Sequence, residues 1–176
     1  MSVPAIFNSI EQTAFSTWIR ESPSVFAFYF ILLFHTVGLS MVVGANSIVD
    51  LRLLGVASAL PLKPLKRLFG IMWTGLTINI LTGILLLFAY PTKALTNPVF
   101  YAKLTFIALA VITMKRISDR VFQNASLSEP DMMAKGRAMA MVSLILWVSA
   151  ITGGRLLSET YTYLTYHAYL LGITRS

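Results

Sequence analysis

The chain has 176 residues, of which 56% are hydrophobic and only 12% are charged. Soluble domains carry about 25% charged residues, so this composition argues against an ordinary soluble protein and indicates one embedded in a membrane. The absence of cysteine excludes disulfides, iron–sulfur clusters and thiolate metal sites. The net charge of +7 does not require a nucleic-acid partner, because the topology described below accounts for the basic residues.

Residues 4–20 are predicted to form an amphipathic helix that lies in the membrane surface. Apolar side chains recur every four residues from Ile6 to Trp18, and most polar residues lie off that stripe. The segment lacks the basic start and the unbroken apolar core of a signal peptide.

Four apolar segments are predicted to cross the membrane as helices: residues 25–49, 68–90, 99–118 and 138–157. A helix of about 20 residues crosses a hydrocarbon core of about 30 Å. The third segment contains Lys103, whose ammonium is expected to reach the nearer interface. The prediction is a single all-α domain over residues 1–176, an integral membrane four-helix bundle with interfacial amphipathic helices at both ends.

The basic residues predict how the spans are oriented. Nine of the fourteen lie within 50–67 and 115–137, the segments that join span one to two and span three to four. Loops rich in Lys and Arg stay in the cytoplasm, which predicts a bacterial inner-membrane protein with both termini on the outer, periplasmic side. The tail, 158–176, is predicted to lie along the outer surface, because tyrosines such as its four collect at the headgroup level.

Polar residues inside the spans form the candidate binding site. His35 and Asn79 lie at a similar depth, about 15 Å from the outer edge. Thr36 and Ser149 fall in the same layer if the helix faces converge. An imidazole within a membrane is costly without a partner, which makes His35 a functional candidate. The alternative is a neutral His35 that bonds Asn79, a threonine or a carbonyl and only specifies packing.

Small residues predict where the helices touch. Gly75, Asn79 and Gly83 form a line of four-residue spacing on the second span, and Ser40 and Gly44 are four apart on the first. Small residues let backbones approach in lipid, so helix contact is the main interpretation. A cofactor that lies against the line is the alternative.

A second polar cluster is expected at the cytoplasmic ends of the spans. Asp50, Arg52, Arg116 and Asp119 are predicted to form a structural ion-pair cluster, with anionic lipid binding as the rival interpretation. Asp50 is fifteen residues from His35, about 22 Å along a helix, so the two cannot share a site.

The chain resembles a known family in three runs of its sequence: "HTVGLSMVVGANSIVDLRLLG", "NPVFYAKL" and "SLILWVSAITGGR". Over residues 20 to 157 the chain resembles a family of small bacterial inner-membrane proteins of unknown function, which implies four spans and no established activity. More remotely, the H-x-x-G of the first span is similar to that of membrane b-type cytochromes and copper-resistance membrane proteins of the CopD kind. That resemblance implies that His35 could ligate haem iron, although the third span offers no second imidazole.

No group of residues in the sequence forms a nucleophilic reaction centre, and the spans lack a midplane carboxylate for ion coupling. The chain is therefore predicted to be non-enzymatic, an accessory or anchoring subunit of a larger membrane complex such as a respiratory one. Its predicted partners are the lipid bilayer and other membrane subunits or further copies of itself, and not nucleic acid. The alternative is a redox carrier that binds haem b or a quinone near His35.

Overall fold

A computed structural model describes residues 5–24, 26–56, 58–124 and 126–170. The described residues form helices and no strand: α1 (Ala5–Glu11), α2 (Ala14–Glu21), α3 (Phe28–Leu53), α4 (Leu68–Ala89), α5 (Pro91–Leu95), α6 (Pro98–Ile117) and α7 (Glu129–Leu170). A 3₁₀ turn at Lys63–Arg67 leads into α4, and a π turn at Ser118–Phe122 follows α6. Helical segments long and apolar enough to cross a membrane are Phe28–Leu53, Lys63–Ala89, Pro98–Phe122 and Glu129–Leu157. The predicted all-α four-helix membrane fold is confirmed, and the chain is a polytopic membrane protein.

Local sequence sets the ends of the spans. Gly55 ends α3 in a left-handed conformation (φ 90°), which glycine adopts without a Cβ clash. The Val56 N–H donates to the Leu51 carbonyl at 3.0 Å, and the Gly55 N–H donates to the Arg52 carbonyl at 3.1 Å. These two bonds form the Schellman arrangement that closes a helix C-terminus. The first span therefore runs four residues beyond its predicted end.

The last helix is longer than the sequence pattern predicts. α7 runs without a break from Glu129 to Leu170, so residues 158–170 continue the helix of the fourth span. At 1.5 Å per residue they extend about 20 Å past the end of that span. Residues 171–176 lie outside the described part of the chain.

The predicted N-terminal surface helix is divided into α1 and α2. Ile6 and Trp18 of the apolar stripe are exposed, whereas Ser16 and Ile19 of α2 are fully buried. The Ser16 hydroxyl donates to the Phe88 carbonyl at 2.9 Å. The face of α2 that carries Ser16 and Ile19 therefore packs against the end of α4, and the apolar stripe faces outward.

Arg20 completes this contact between α2 and α4. Its Nη1 donates to the Ala89 carbonyl at 3.0 Å, at the C-terminus of α4. Its Nη2 donates to the Glu11 carbonyl of α1 at 2.8 Å. Unpaired carbonyls and the helix dipole make the C-terminus of a helix negative, so an arginine there is stabilising. The N-terminal helices therefore cap the second span.

The four spans pack as two hairpins. α3 lies along α4, α6 lies along α7, and contact between α3 and α7 joins the pairs, while α4 and α6 make much less contact with each other. We call the end of the bundle with residues 54–67 and 118–128 the basic end, and the end with α1, α2 and α5 the terminal end. The main apolar core lies toward the basic end, and includes Val49, Leu53, Met72, Met114, Ile117 and Ala140. Toward the terminal end the bundle is open between α4 and α6.

Two glycines set the close approach of α3 to α4. A Cβ added to Gly75 would lie 2.7 Å from the Gly38 carbonyl oxygen, and one added to Gly38 would lie 2.8 Å from the Gly75 carbonyl oxygen. Contact of the second span at Gly75 is as predicted. Gly44 has no atom within 4 Å of its added Cβ, so the predicted Ser40–Gly44 pair is not a helix contact among the described residues.

Candidate ligand cleft beside His35

A cavity of about 420 Å³ lies between α4 and α6, toward the terminal end of the bundle. We call it the cleft. Its lining is mostly apolar and includes Leu76, Ile80, Leu87, Phe100, Leu104 and Ile107. Sites for small molecules have volumes of about 300–1,000 Å³, apolar walls and a few polar groups that orient the ligand. The cleft has these properties.

His35 of α3 lines the cleft. Its Nδ1 lies 3.0 Å from the Thr82 hydroxyl oxygen of α4. Its ring is packed against Gly83, where an added Cβ would lie 3.3 Å from the Cε1 atom of the histidine. A larger residue at 83 would press on the ring, so this glycine makes room for the imidazole.

The Thr82 hydroxyl determines the tautomer of a neutral His35. This hydroxyl donates to the Ile78 carbonyl at 2.7 Å, so its single hydrogen is already used. Nδ1 of His35 is then the donor to the Thr82 oxygen, an assignment that follows from the hydrogen-bond network. The other nitrogen, Nε2, keeps its lone pair, which can accept a hydrogen bond or bind a metal ion.

Asn79 also lines the cleft and fixes the backbone near His35. Its Nδ2 donates to the His35 carbonyl at 2.8 Å, so the two predicted residues are brought together through the backbone of α3. The imidazole itself pairs with Thr82, a residue that is not among the predicted site residues. Thr82 lies three residues after Asn79 on the same helix face, and that spacing is the signal that could have found it.

The lining of the cleft has two lysines, Lys93 of α5 and Lys103 of α6, and Lys103 is the one within a membrane span. It lies five residues into α6, about 7.5 Å from the helix start, while His35 lies about 10 Å into α3 by the same rise. Its side chain runs along α7, with Nζ 3.7 Å from the position of a Cβ added to Gly154. The ion pairs of the described residues, Arg52 with Glu129 and Lys115 with Asp119, do not include Lys103.

The other two predicted site residues do not line the cleft. Thr36 is exposed, and its hydroxyl donates to the Leu32 carbonyl at 2.9 Å, one turn earlier in α3. Ser149 is half-buried on α7. Of the four residues predicted at a shared depth, His35 and Asn79 therefore lie together, and Thr36 and Ser149 do not. Depth alone does not fix the direction in which a helical side chain points.

The predicted ion-pair cluster has different partners in the structure. Arg52 pairs with Glu129 of α7 at 3.2 Å. Asp119 pairs with Lys115 at 2.7 Å, one turn apart on the surface of α6 and its π turn. Arg116 is exposed.

Asp50, the remaining member of that cluster, is fully buried. It accepts a hydrogen bond from Asn46 at 2.5 Å.

The donor set of the cleft permits two kinds of ligand contact. Nε2 of His35 can accept a hydrogen bond or ligate iron, and the Lys103 ammonium can donate to an oxygen. Haem iron would find one axial ligand, because the lining has no second histidine, methionine or cysteine. Groups of three or more His, Cys, Asp or Glu side chains that could hold a metal ion are absent from the described residues. Comparison with protein-family models, curated proteins and solved structures finds no match for the chain.

Proposed function

We propose that the protein is a membrane subunit that holds a quinone-class molecule in the cleft, with the ring between His35 and Lys103. One observation carries this proposal: an apolar cavity of about 420 Å³ places an imidazole and an ammonium in its wall at a similar depth in the membrane. Quinones and quinols are lipid-soluble and carry oxygen atoms at opposite ends of the ring. Lys103 donates to one oxygen, and His35 accepts from the hydroxyl of the quinol at the other.

The position of the cleft supports entry from the lipid. α4 and α6 flank the cleft, so a ligand with an apolar tail reaches it between these two helices from the side of the bundle. The core toward the basic end keeps the helices together while the cleft is open. The apolar lining suits an isoprenoid tail, because burial of apolar area is favourable and needs no directed contact.

Haem b is the second candidate, and the hydrogen bond between His35 and Thr82 is the observation that favours it. A histidine that binds a metal usually donates its other ring N–H to a nearby oxygen, and His35 does so through Nδ1. His35 would be the only axial ligand from the cleft. Quinone remains preferred, because it uses both His35 and Lys103 and requires no second axial ligand.

An accessory role in a larger complex is supported by the shape of α7. Its segment after Leu157 extends about 20 Å beyond the span, which gives a partner subunit a helical surface outside the membrane. Membership of the family of small inner-membrane proteins with the "DLRLLG" run remains part of this proposal. So does a bacterial inner-membrane location with both termini outside, which rests on the nine-to-five distribution of basic residues.

The test is ligand binding by the purified protein in detergent. A short-chain quinol should raise the thermal unfolding midpoint of the wild type, because a ligand that binds only the folded state stabilises it. His35→Leu and Lys103→Met should lose the rise, while Lys66→Met, an exposed lysine at the basic end, should keep it. Equal rises of the unfolding midpoint in the wild type and all variants would contradict the proposal. An absorbance spectrum of the same sample tests for haem through its Soret band.

A further inference from the structure

Asp50 lies in the last turns of α3 and is fully buried in the protein. Its Oδ2 accepts from the Asn46 side-chain amide at 2.5 Å. The same amide nitrogen donates to the Ser143 hydroxyl of α7 at 2.8 Å. Asn46 and Ser143 are 1% and 0% exposed, so three polar side chains meet inside the contact between α3 and α7. A cluster of this kind is stable only when each polar atom has a partner.

One atom of the cluster has no such partner. Oδ1 of Asp50 is buried and makes no hydrogen bond to any described residue. A buried carboxylate oxygen left unpaired is far more unfavourable than an unpaired neutral polar atom, because the charge has lost its hydration. The orphan oxygen therefore indicates a positive partner that is not a side chain of the described residues.

The basic side chains nearby are directed elsewhere. Arg52 bonds to Glu129 and to the Leu60 carbonyl. On the other helices, the charged residues near the level of Asp50 are exposed. They are Lys115 and Arg116 of α6, Asp119 of the π turn, and Lys135 and Arg137 of α7. The face of α4 buried here presents Phe69, Met72 and Leu76. No titratable side chain of the described residues faces Asp50 from α4, α6 or α7.

We propose that Asp50 is a binding site for a monovalent cation, a proton or Na⁺, inside the core of the bundle. Both ions supply the positive charge that Oδ1 lacks. A proton on Oδ1 leaves Oδ2 free to accept from Asn46. Na⁺ at Oδ1 takes hard oxygen ligands, and the hydroxyl of Ser143, the third side chain of this buried cluster, is one such neutral oxygen.

The site is separate from the cleft and is reached from the other side. Asp50 is fifteen residues from His35, about 22 Å along α3. It lies three residues before Leu53, where α3 ends at the basic end. Loss of the cation leaves an unpaired charge between α3 and α7, so occupancy of the site stabilises the contact that joins the two hairpins.

Infrared spectroscopy of the purified protein tests this site directly. The chain has only seven Asp and Glu residues, so the C=O stretch of one protonated carboxyl can be assigned by difference. In buffer without Na⁺, the band should be present at neutral pH in the wild type and in Asp119→Asn, whose carboxylate is exposed. It should be fully lost in Asp50→Asn. Ser143→Ala changes the same buried cluster but keeps the Asp50 carboxyl, so it should keep the band. This control separates loss of the carboxyl from a general disturbance of the cluster in Asp50→Asn.

Salt dependence distinguishes the two ions. If the cation is a proton, the band persists in NaCl, and the thermal midpoint in NaCl equals that in choline chloride at the same concentration. If it is Na⁺, NaCl removes the band and raises the midpoint above that in choline chloride, and Asp50→Asn abolishes the rise. An ionised Asp50 in every buffer, with no Na⁺-specific rise, would overturn the proposal.

Discussion

Replacement of Gly75 by alanine should separate α3 from α4. The added methyl would lie 2.7 Å from the Gly38 carbonyl oxygen, 2.7 Å from the Met41 Cβ and 3.0 Å from the Val42 nitrogen. Two of these atoms belong to the backbone and the third is fixed to it, so no side-chain rotation relieves the clash. Overpacking of this kind costs about 1–3 kcal/mol. The loss occurs where van der Waals contact between helices is the main source of association in lipid.

Gly44→Ala is the matched control. It lies on the same hairpin, and its added Cβ has no atom within 4 Å. Alanine is favoured over glycine in a helix by about 1 kcal/mol, so this variant should be neutral or slightly more stable. The gain in helix propensity is common to both variants, so they should differ by the overpacking cost alone, about 1–3 kcal/mol in the free energy of unfolding. Reversible unfolding by SDS in mixed micelles, followed by circular dichroism, measures the difference. Equal stabilities would refute the close approach of the two helices.

Three further predictions concern the cleft, the basic end and the topology. Thr82→Val removes the oxygen that accepts from His35, so it should lower stability by about 0.6–2 kcal/mol and weaken quinol binding, both measured by thermal unfolding; unchanged binding would argue against the tautomer given above. Glu129→Gln leaves the Arg52 guanidinium, whose side chain is 6% exposed, without its carboxylate. It should lower the free energy of unfolding by about 1–2 kcal/mol, after allowance for the 38% exposure of Glu129. Unfolding in SDS measures this loss of stability, and no loss would mean that the ion pair is screened. A cysteine at Ser126 should react with a membrane-impermeant thiol reagent only after the membrane is opened, and labelling of intact cells would reverse the proposed orientation.

The fold could be predicted from the sequence because composition and span length constrain a membrane protein strongly. Backbone groups in lipid must bond within their own segment, so an apolar run of sufficient length has to be a helix. The end of α7 was not predictable in the same way. Tyrosine-rich sequence suits both a surface segment and a helix that continues past the headgroups, and the choice depends on the contacts of α7.

The candidate site was predictable only in part. His35 and Asn79 could be found because a polar residue within an apolar span is conspicuous. The place of Lys103 in the cleft could not be read from its depth, since the direction of its side chain depends on how α6 packs against α7. Arg52 pairs with Glu129, which is 77 positions away, and not with the nearer carboxylate of Asp50. The sequence pattern does not indicate which of the two carboxylates Arg52 binds.

The most direct test of the central claim is to identify what the cleft holds in native membranes. The protein would be purified in mild detergent and extracted with organic solvent, and the quinone in the extract would be quantified by mass spectrometry against the protein. The wild type and the control Lys66→Met should each carry quinone near one per chain, and His35→Leu and Lys103→Met should carry little. Quinone at the same trace level in all four proteins would contradict a quinone site in the cleft.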